Sequence, residues 1–175
     1  KKNLGVKSSV KVITVVGFPL GYSTVGSKVE EVKKAFIDGA DEIDMVMNIA
    51  AFKSGDVPAF TNDLSSVVTA CHLQNKVVKV IIETAYLTEP EIIEVCKICT
   101  ECGVDFVKTS TGFADKGATV EAVKIMRQIL PAKIKIKAAG GIKDAAFALE
   151  LIAAGAERIG ASRSIEMVAS NDSIQ

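Results

Sequence analysis

The chain has 175 residues, about one domain by length, and 49% hydrophobic against 24% charged residues leaves enough apolar material for one core. Its formal net charge is zero, which excludes the basic excess of a nucleic-acid binder and the polybasic run of an anionic-membrane binder. No apolar run approaches the ~20 residues of a membrane span, and Lys1-Lys2-Asn3-Leu4-Gly5 lacks a signal peptide's apolar stretch, so a soluble, cytoplasmic setting is expected.

Taken in chain order, short β-branched runs alternate with helical patterns. A first strand is expected at Val12–Val16. Ser27-Lys28-Val29-Glu30 reads as a capping box opening a helix that runs to about Asp38, before Gly39. A strand is expected at Ile43–Met47, a helix near Val57–Leu73 and a strand at Val77–Ile82. Thr88-Glu89-Pro90-Glu91 reads as a second capping box, for a helix over Glu89–Cys102 that stops at Gly103. The expected order continues with a strand at Asp105–Thr109, a helix near Thr119–Ile129, a strand at Ile134–Ala138, a helix near Asp144–Ala154 and a strand at Glu157–Gly160. Strand plus helix recurring every ~25–35 residues is the mark of a parallel sheet. Gly39-Ala40-Asp41, Gly103-Val104-Asp105 and Gly155-Ala156-Glu157 form a weak internal repeat, each a helix stop followed by an acidic residue at a strand entrance. One domain of six βα units over 1–175 is expected, and either a doubly wound sheet or a (β/α)8 barrel fits.

Cys96, Cys99 and Cys102 form C-x-x-C-x-x-C, a spacing that invites a metal or redox reading. Ile92, Cys96, Cys99 and Gly103 nevertheless follow the stripe of a buried helix face, where cysteine serves as a small hydrophobe. Cys71 is expected in the core too. No metal and no cofactor is expected; the lone histidine, His72, reads as a surface or satisfied residue.

The strand interiors separate the two folds. Parallel strands covered on both faces should be apolar throughout, but alternate positions here carry Asp44, Lys79, Glu83, Lys108, Lys135 and Lys137. A barrel explains this: helices cover the outer face, and the interior gathers convergent charges near the strand C-termini. Asp44, Glu83, Lys108 and Lys137 fall late in their strands; Lys79 and Lys135 fall earlier and read as structural ion-pair partners. Two inward lysines repel each other and make a poor structural pair. Desolvation and a neighbouring ammonium both favour the neutral amine that attacks a carbonyl. Lys108 is therefore the expected Schiff-base nucleophile, Lys137 its perturbing neighbour and Asp44 a proton carrier. Glycine-rich turns after successive strands, at Gly112, Gly140–Gly141 and Gly160–Ser162, suit an anion such as phosphate.

At these residues the sequence resembles the deoxyribose-phosphate aldolases. The motifs are Thr14–Gly21, Gly39–Val46, Lys79–Thr84, Asp105–Phe113, Lys137–Ile142 and Arg158–Ser162, and together they span nearly the whole chain. The resemblance implies a metal-free class I aldolase on a (β/α)8 barrel that reversibly cleaves 2-deoxy-D-ribose 5-phosphate to D-glyceraldehyde 3-phosphate and acetaldehyde. It implies Lys108 as Schiff-base lysine, Lys137 as second lysine, Asp44 as proton relay, and Gly112, Gly140, Gly141, Gly160 and Ser162 as phosphate site. Arg163 either adds a phosphate contact or points away. The expected partners are a phosphorylated sugar and further copies of the chain, a dimer being favoured. The family carries two βα units ahead of the strand that begins here near Val12, so the implied barrel has about six units, is incomplete at its N-terminal side and has two open sheet edges. A non-catalytic phosphate-binding fragment, or another phosphosugar enzyme such as an isomerase, stands as the alternative.

Overall fold

A computed structural model describes residues 9–171. The elements are β1 (Ile13–Val16), α1 (Val25–Ile37), β2 (Glu42–Val46), α2 (Ile49–Lys53), α3 (Val57–His72), β3 (Val77–Ile81), α4 (Glu89–Cys102), β4 (Phe106–Lys108), α5 (Val120–Ile129), β5 (Lys135–Ala139), α6 (Ala145–Ala153), β6 (Arg158–Gly160) and α7 (Ser164–Asn171). A single 3-10 turn lies at Thr84–Tyr86. The strands form one sheet in the order β1-β2-β3-β4-β5-β6. Pairing is parallel for β1 with β2, β4 with β5 and β5 with β6. A doubly wound sheet reverses its strand order at a switch point, and this one does not. Successive neighbours in chain order are the topology of a (β/α)8 barrel, of which the described residues supply six βα units.

Local chemistry explains most boundaries. Thr88 and Glu91 form the expected capping box, the Glu91 carboxylate accepting from the Thr88 N–H at 2.7 Å. α5 and α6 are capped by Thr119 and Asp144, whose side chains accept from the N–H groups of Ala122 and Phe147. The box expected at Ser27-Lys28-Val29-Glu30 is not the start of α1. Thr24 is the cap, accepting from the Ser27 N–H at 3.2 Å, while Glu30 pairs with Lys33. Gly26 in the first turn is a poor helix former, which hid the earlier start from a propensity reading. α2, α7 and the 3-10 turn had no sequence expectation.

The glycine–acid repeat has a definite structural meaning. Gly39, Gly103 and Gly155 end α1, α4 and α6 with φ of 99°, 73° and 118°, a conformation glycine takes without steric cost. The acid that follows reaches back to the preceding strand. Asp41 accepts from the Val12 N–H at 3.0 Å, Asp105 from Val78 at 2.8 Å and Glu157 from Ile136 at 2.7 Å. In return each acid's own N–H donates to the carbonyl of the same residue.

The chain comprises two compact units. The first runs to Val80 and takes in Cys102–Asp105; the second comprises Ile81–Glu101 and everything from Phe106. The core of the first is built on Val16, Val32, Ile43, Met45, Phe60, Leu64 and Val67, all without solvent exposure. Phe52 and Phe60 add a tilted ring pair at 5.2 Å. Two buried lysines, Lys28 and Lys79, are ion-paired within this unit. Lys28 Nζ lies 2.6 Å from Asp63 and donates to the Val46 carbonyl at 2.9 Å. Lys79 lies 2.5 Å from Glu42 and 3.1 Å from Asp44, the structural partnership expected of it.

The core of the second unit is built on Val95, Cys96, Cys99, Val107, Val123, Met126, Ile136, Ala138 and Leu151. Cys96 and Cys99 therefore occupy the apolar face of α4, and Cys102 is half-buried. Burial pushes the thiols of Cys96 and, in the first unit, Cys71 up to about 12, far from the range of a reactive thiolate. Among the described residues no helix is long and apolar enough to cross a membrane.

Candidate active site

Lys108 is the last residue of β4, and its register partner on β5 is Lys137. Both are almost buried, at 7% and 9% exposure. A pocket of about 400 Å³ opens beside them within the second unit, lined by Thr111, Gly112, Gly140, Gly141, Gly160 and Ser162 among others. The two lysines and all five residues expected to hold phosphate thus share one cavity.

The backbone around Lys108 is pinned on both sides. The Lys108 carbonyl accepts from the Ile82 N–H at 3.0 Å, and the Lys137 carbonyl accepts from the Thr109 N–H at 3.1 Å. The fully buried Thr109 hydroxyl then bridges the strand ends, donating to the Ala139 carbonyl and accepting from the Ala139 N–H, each at 3.1 Å. A side chain here replaces a backbone ladder rung where the strands part, satisfying the Ala139 N–H and carbonyl. The wall beyond is made possible by glycine. The Gly140 carbonyl accepts from the Ala118 N–H at 3.0 Å, and a Cβ on Gly117 would stand 2.1 Å from that carbonyl oxygen. A Cβ on Gly160 would stand 3.2 Å from Cε of Lys137, so Gly160 leaves that lysine its room.

Other charges are arranged differently. Arg158, the register partner of Lys137 on β6, places its guanidinium 4.8 Å from the centre of the Phe106 ring. Lys135 is exposed, with its ammonium 5.8 Å from the same ring, which corrects its expected place as an inward ion-pair partner. It opens β5, where the strand emerges to solvent. Arg163 is 66% exposed, its Nε 3.7 Å from Glu166, and it is not among the pocket-lining side chains. His72 is a surface residue whose ring nitrogen pairs with Asp105 at 3.1 Å. Asp44 belongs to the first unit, where it is buried beside Lys79. Among the described residues no group of three or more His, Cys, Asp and Glu side chains is gathered as a metal site would require.

Two features of the pocket escaped the sequence reading. Lys143 lines it, immediately after the Gly140-Gly141-Ile142 turn, and adds a basic side chain. Thr111 lines it as well, with its N–H and hydroxyl both bound to the Glu83 carboxylate. A lysine directly after a double-glycine turn was the available signal for the first. The second depends on a contact 28 residues apart in sequence, which no local pattern reveals.

Residues 3–165 match the family model described as DeoC/LacD family aldolase. A deoxyribose-phosphate aldolase of Thermococcus kodakarensis is 51% identical over 161 residues, covering 92% of this chain and 72% of that protein. Among solved structures, the tetrameric deoxyribose phosphate aldolase of Aeropyrum pernix matches with a TM-score of 0.86 at 30% identity, covering 95% of this chain and 70% of that one. The aldolase QR15 matches with a TM-score of 0.89 at 41% identity, covering 97% of this chain and 78% of that one. With the family model matching residues 3–165 and a relative 51% identical over 92% of the chain, this protein belongs to the DeoC/LacD aldolase family.

Proposed function

We propose that the protein is a class I aldolase that reversibly cleaves 2-deoxy-D-ribose 5-phosphate to D-glyceraldehyde 3-phosphate and acetaldehyde, with Lys108 as its Schiff-base lysine. The observation that carries this reading is the in-register pair Lys108 and Lys137, nearly buried beside a glycine-lined pocket. The deoxyribose-phosphate aldolase names of its relatives supply the substrate.

The Lys108 amine attacks the C1 aldehyde of the open-chain sugar, and loss of water leaves a protonated imine. A base removes the C3 hydroxyl proton, the C2–C3 bond breaks, and its electron pair flows into the imine to form an enamine. Glyceraldehyde 3-phosphate departs, C2 takes a proton, and water hydrolyses the imine to release acetaldehyde. Lys137 is the neighbouring ammonium that favours the neutral Lys108 amine, and the pocket glycines and Ser162 with Lys143 hold the phosphate. Asp44 is assigned the proton transfers on the strength of its motif, Gly39–Val46.

Reduction with borohydride in the presence of acetaldehyde tests the reading. It should leave one ethyl group on Lys108, and Lys108→Ala should abolish both adduct and turnover. An adduct on another lysine, or none, removes the Schiff-base assignment; phosphate binding without any adduct would leave a phosphate-binding barrel. The reading extends to assembly with further copies of the chain, supported by exposed apolar residues on α6 and α7, Leu149, Ile152, Ile165 and Val168. A light-scattering mass at a multiple of 18.5 kDa is expected; the single-chain value would remove it.

A further inference from the structure

We propose that Glu83 is a positioning residue that gives the pocket its preference for phosphorylated substrates, by holding the Thr111–Gly112 turn in the form an anion needs. The proposal rests on the phosphate reading above and adds to it a residue outside the pocket lining.

Glu83 follows β3 and is 2% exposed. Its backbone is left-handed, with φ 53° and ψ 69°. That conformation is unfavourable for a non-glycine residue, so its surroundings must hold it there. Thr111 does so. One Glu83 carboxylate oxygen, Oε2, accepts from both the N–H of Thr111, at 3.2 Å, and its hydroxyl. The same hydroxyl oxygen accepts from the Phe113 N–H at 3.1 Å, closing the turn around Gly112, whose φ is 90°.

Both donors of Thr111 are committed to Glu83, so an anion in the pocket meets a wall whose shape is set from behind by a carboxylate. The other carboxylate oxygen, Oε1, is buried and has no hydrogen-bond partner among the described residues. Leaving such an oxygen open carries a desolvation cost. A residue that combines this cost with a strained backbone makes sense where it orders a neighbour that matters. Glu83 thus acts on substrate through Thr111 and Gly112, and not on the reacting carbons.

The test compares Glu83→Ala, Glu83→Gln, Thr111→Val and Thr111→Ser. In Glu83→Ala, KM for 2-deoxyribose 5-phosphate should rise about tenfold or more while kcat falls less than about threefold, because the interaction lost is binding that ground and transition states share. Turnover of unphosphorylated 2-deoxyribose should fall less than about threefold, and the calorimetric Kd for inorganic phosphate should rise in step with KM. Glu83→Gln keeps an acceptor oxygen at the same reach and should recover most of the KM. Thr111→Val should copy Glu83→Ala, and Thr111→Ser should not; this pair decides the matter if Glu83→Ala fails to fold. A fall in kcat with KM unchanged, or equal losses on both substrates, overturns the proposal. Failure of the function reading is separately visible: wild-type protein would then form no Lys108 adduct with acetaldehyde, while phosphate calorimetry would still report on Glu83.

Discussion

Lys28 is a lysine with no exposed surface, held between Asp63 and the Val46 carbonyl. Burial lowers its pKa from 10.5 against the opposing pull of Asp63, and burial raises that of Asp63 from 3.8 against the pull of Lys28. Both directions favour the neutral forms, so in each case desolvation outweighs the attraction. The linkage signs then differ. Between 3.8 and the raised Asp63 value the folded state binds more protons, and stability falls as pH rises; between the lowered Lys28 value and 10.5 the unfolded state binds more, and stability rises with pH. The contribution of the pair is therefore least favourable between these windows. Lys28→Met alone should destabilise by ~3–5 kcal/mol, because it strands a buried carboxylate, whereas Lys28→Met with Asp63→Leu should be near neutral or stabilising. Urea unfolding of both variants across pH checks this, and the wild-type deficit against the double variant should shrink towards acid and alkali. In the sequence Lys28 reads as part of a capping box, and nothing there marks its burial. The space it occupies is left open by Gly17, where a Cβ would stand 2.7 Å from Lys28 Cε. A lysine's depth depends on such distant gaps, and periodicity along its own helix does not record them. Lys108 and Lys137 were legible because charge on a parallel strand breaks a strong expectation; charge on a helix breaks none.

Among elements, those with a repeated chemical signature were legible and those defined by position were not. The strands and long helices were expected within a residue or two, because β-branched runs, acidic residues and glycine stops mark them independently. The five-residue α2 is too short for a period to show; it rests on Asn48, whose side chain accepts from the Ala51 N–H at 3.0 Å. The 3-10 turn after β3 starts from the left-handed Glu83, a conformation that nothing in Glu-Thr-Ala-Tyr announces. Lys135 shows a limit of the alternation rule. It shares the period of Lys137, yet it opens its strand and lies in solvent, so which side chains a strand buries depends on where the strand begins as well as on parity.

For the whole molecule, strand order decided between two architectures that composition left equal, and order is a property of pairing that no window of sequence contains. The inward charges favoured the barrel topology, and the unbroken order β1 to β6 carries it. The acid that follows each of Gly39, Gly103 and Gly155 says something more about how that order is built. Asp41, Asp105 and Glu157 stand before β2, β4 and β6 and bind back to residues at the starts of β1, β3 and β5. The junctions before β3 and β5, at residues 73–76 and 130–134, have no such acid. The acid contact thus recurs at every second strand, and the junctions before β3 and β5 are seams without it. The seams are the natural places to open the chain. A glycine–serine insertion between the exposed Gln74 and Asn75 should leave the unfolding midpoint nearly unchanged. The same insertion between Gly103 and Val104 should cost ~1.5–3 kcal/mol, because it pulls a charged acceptor from the Val78 amide.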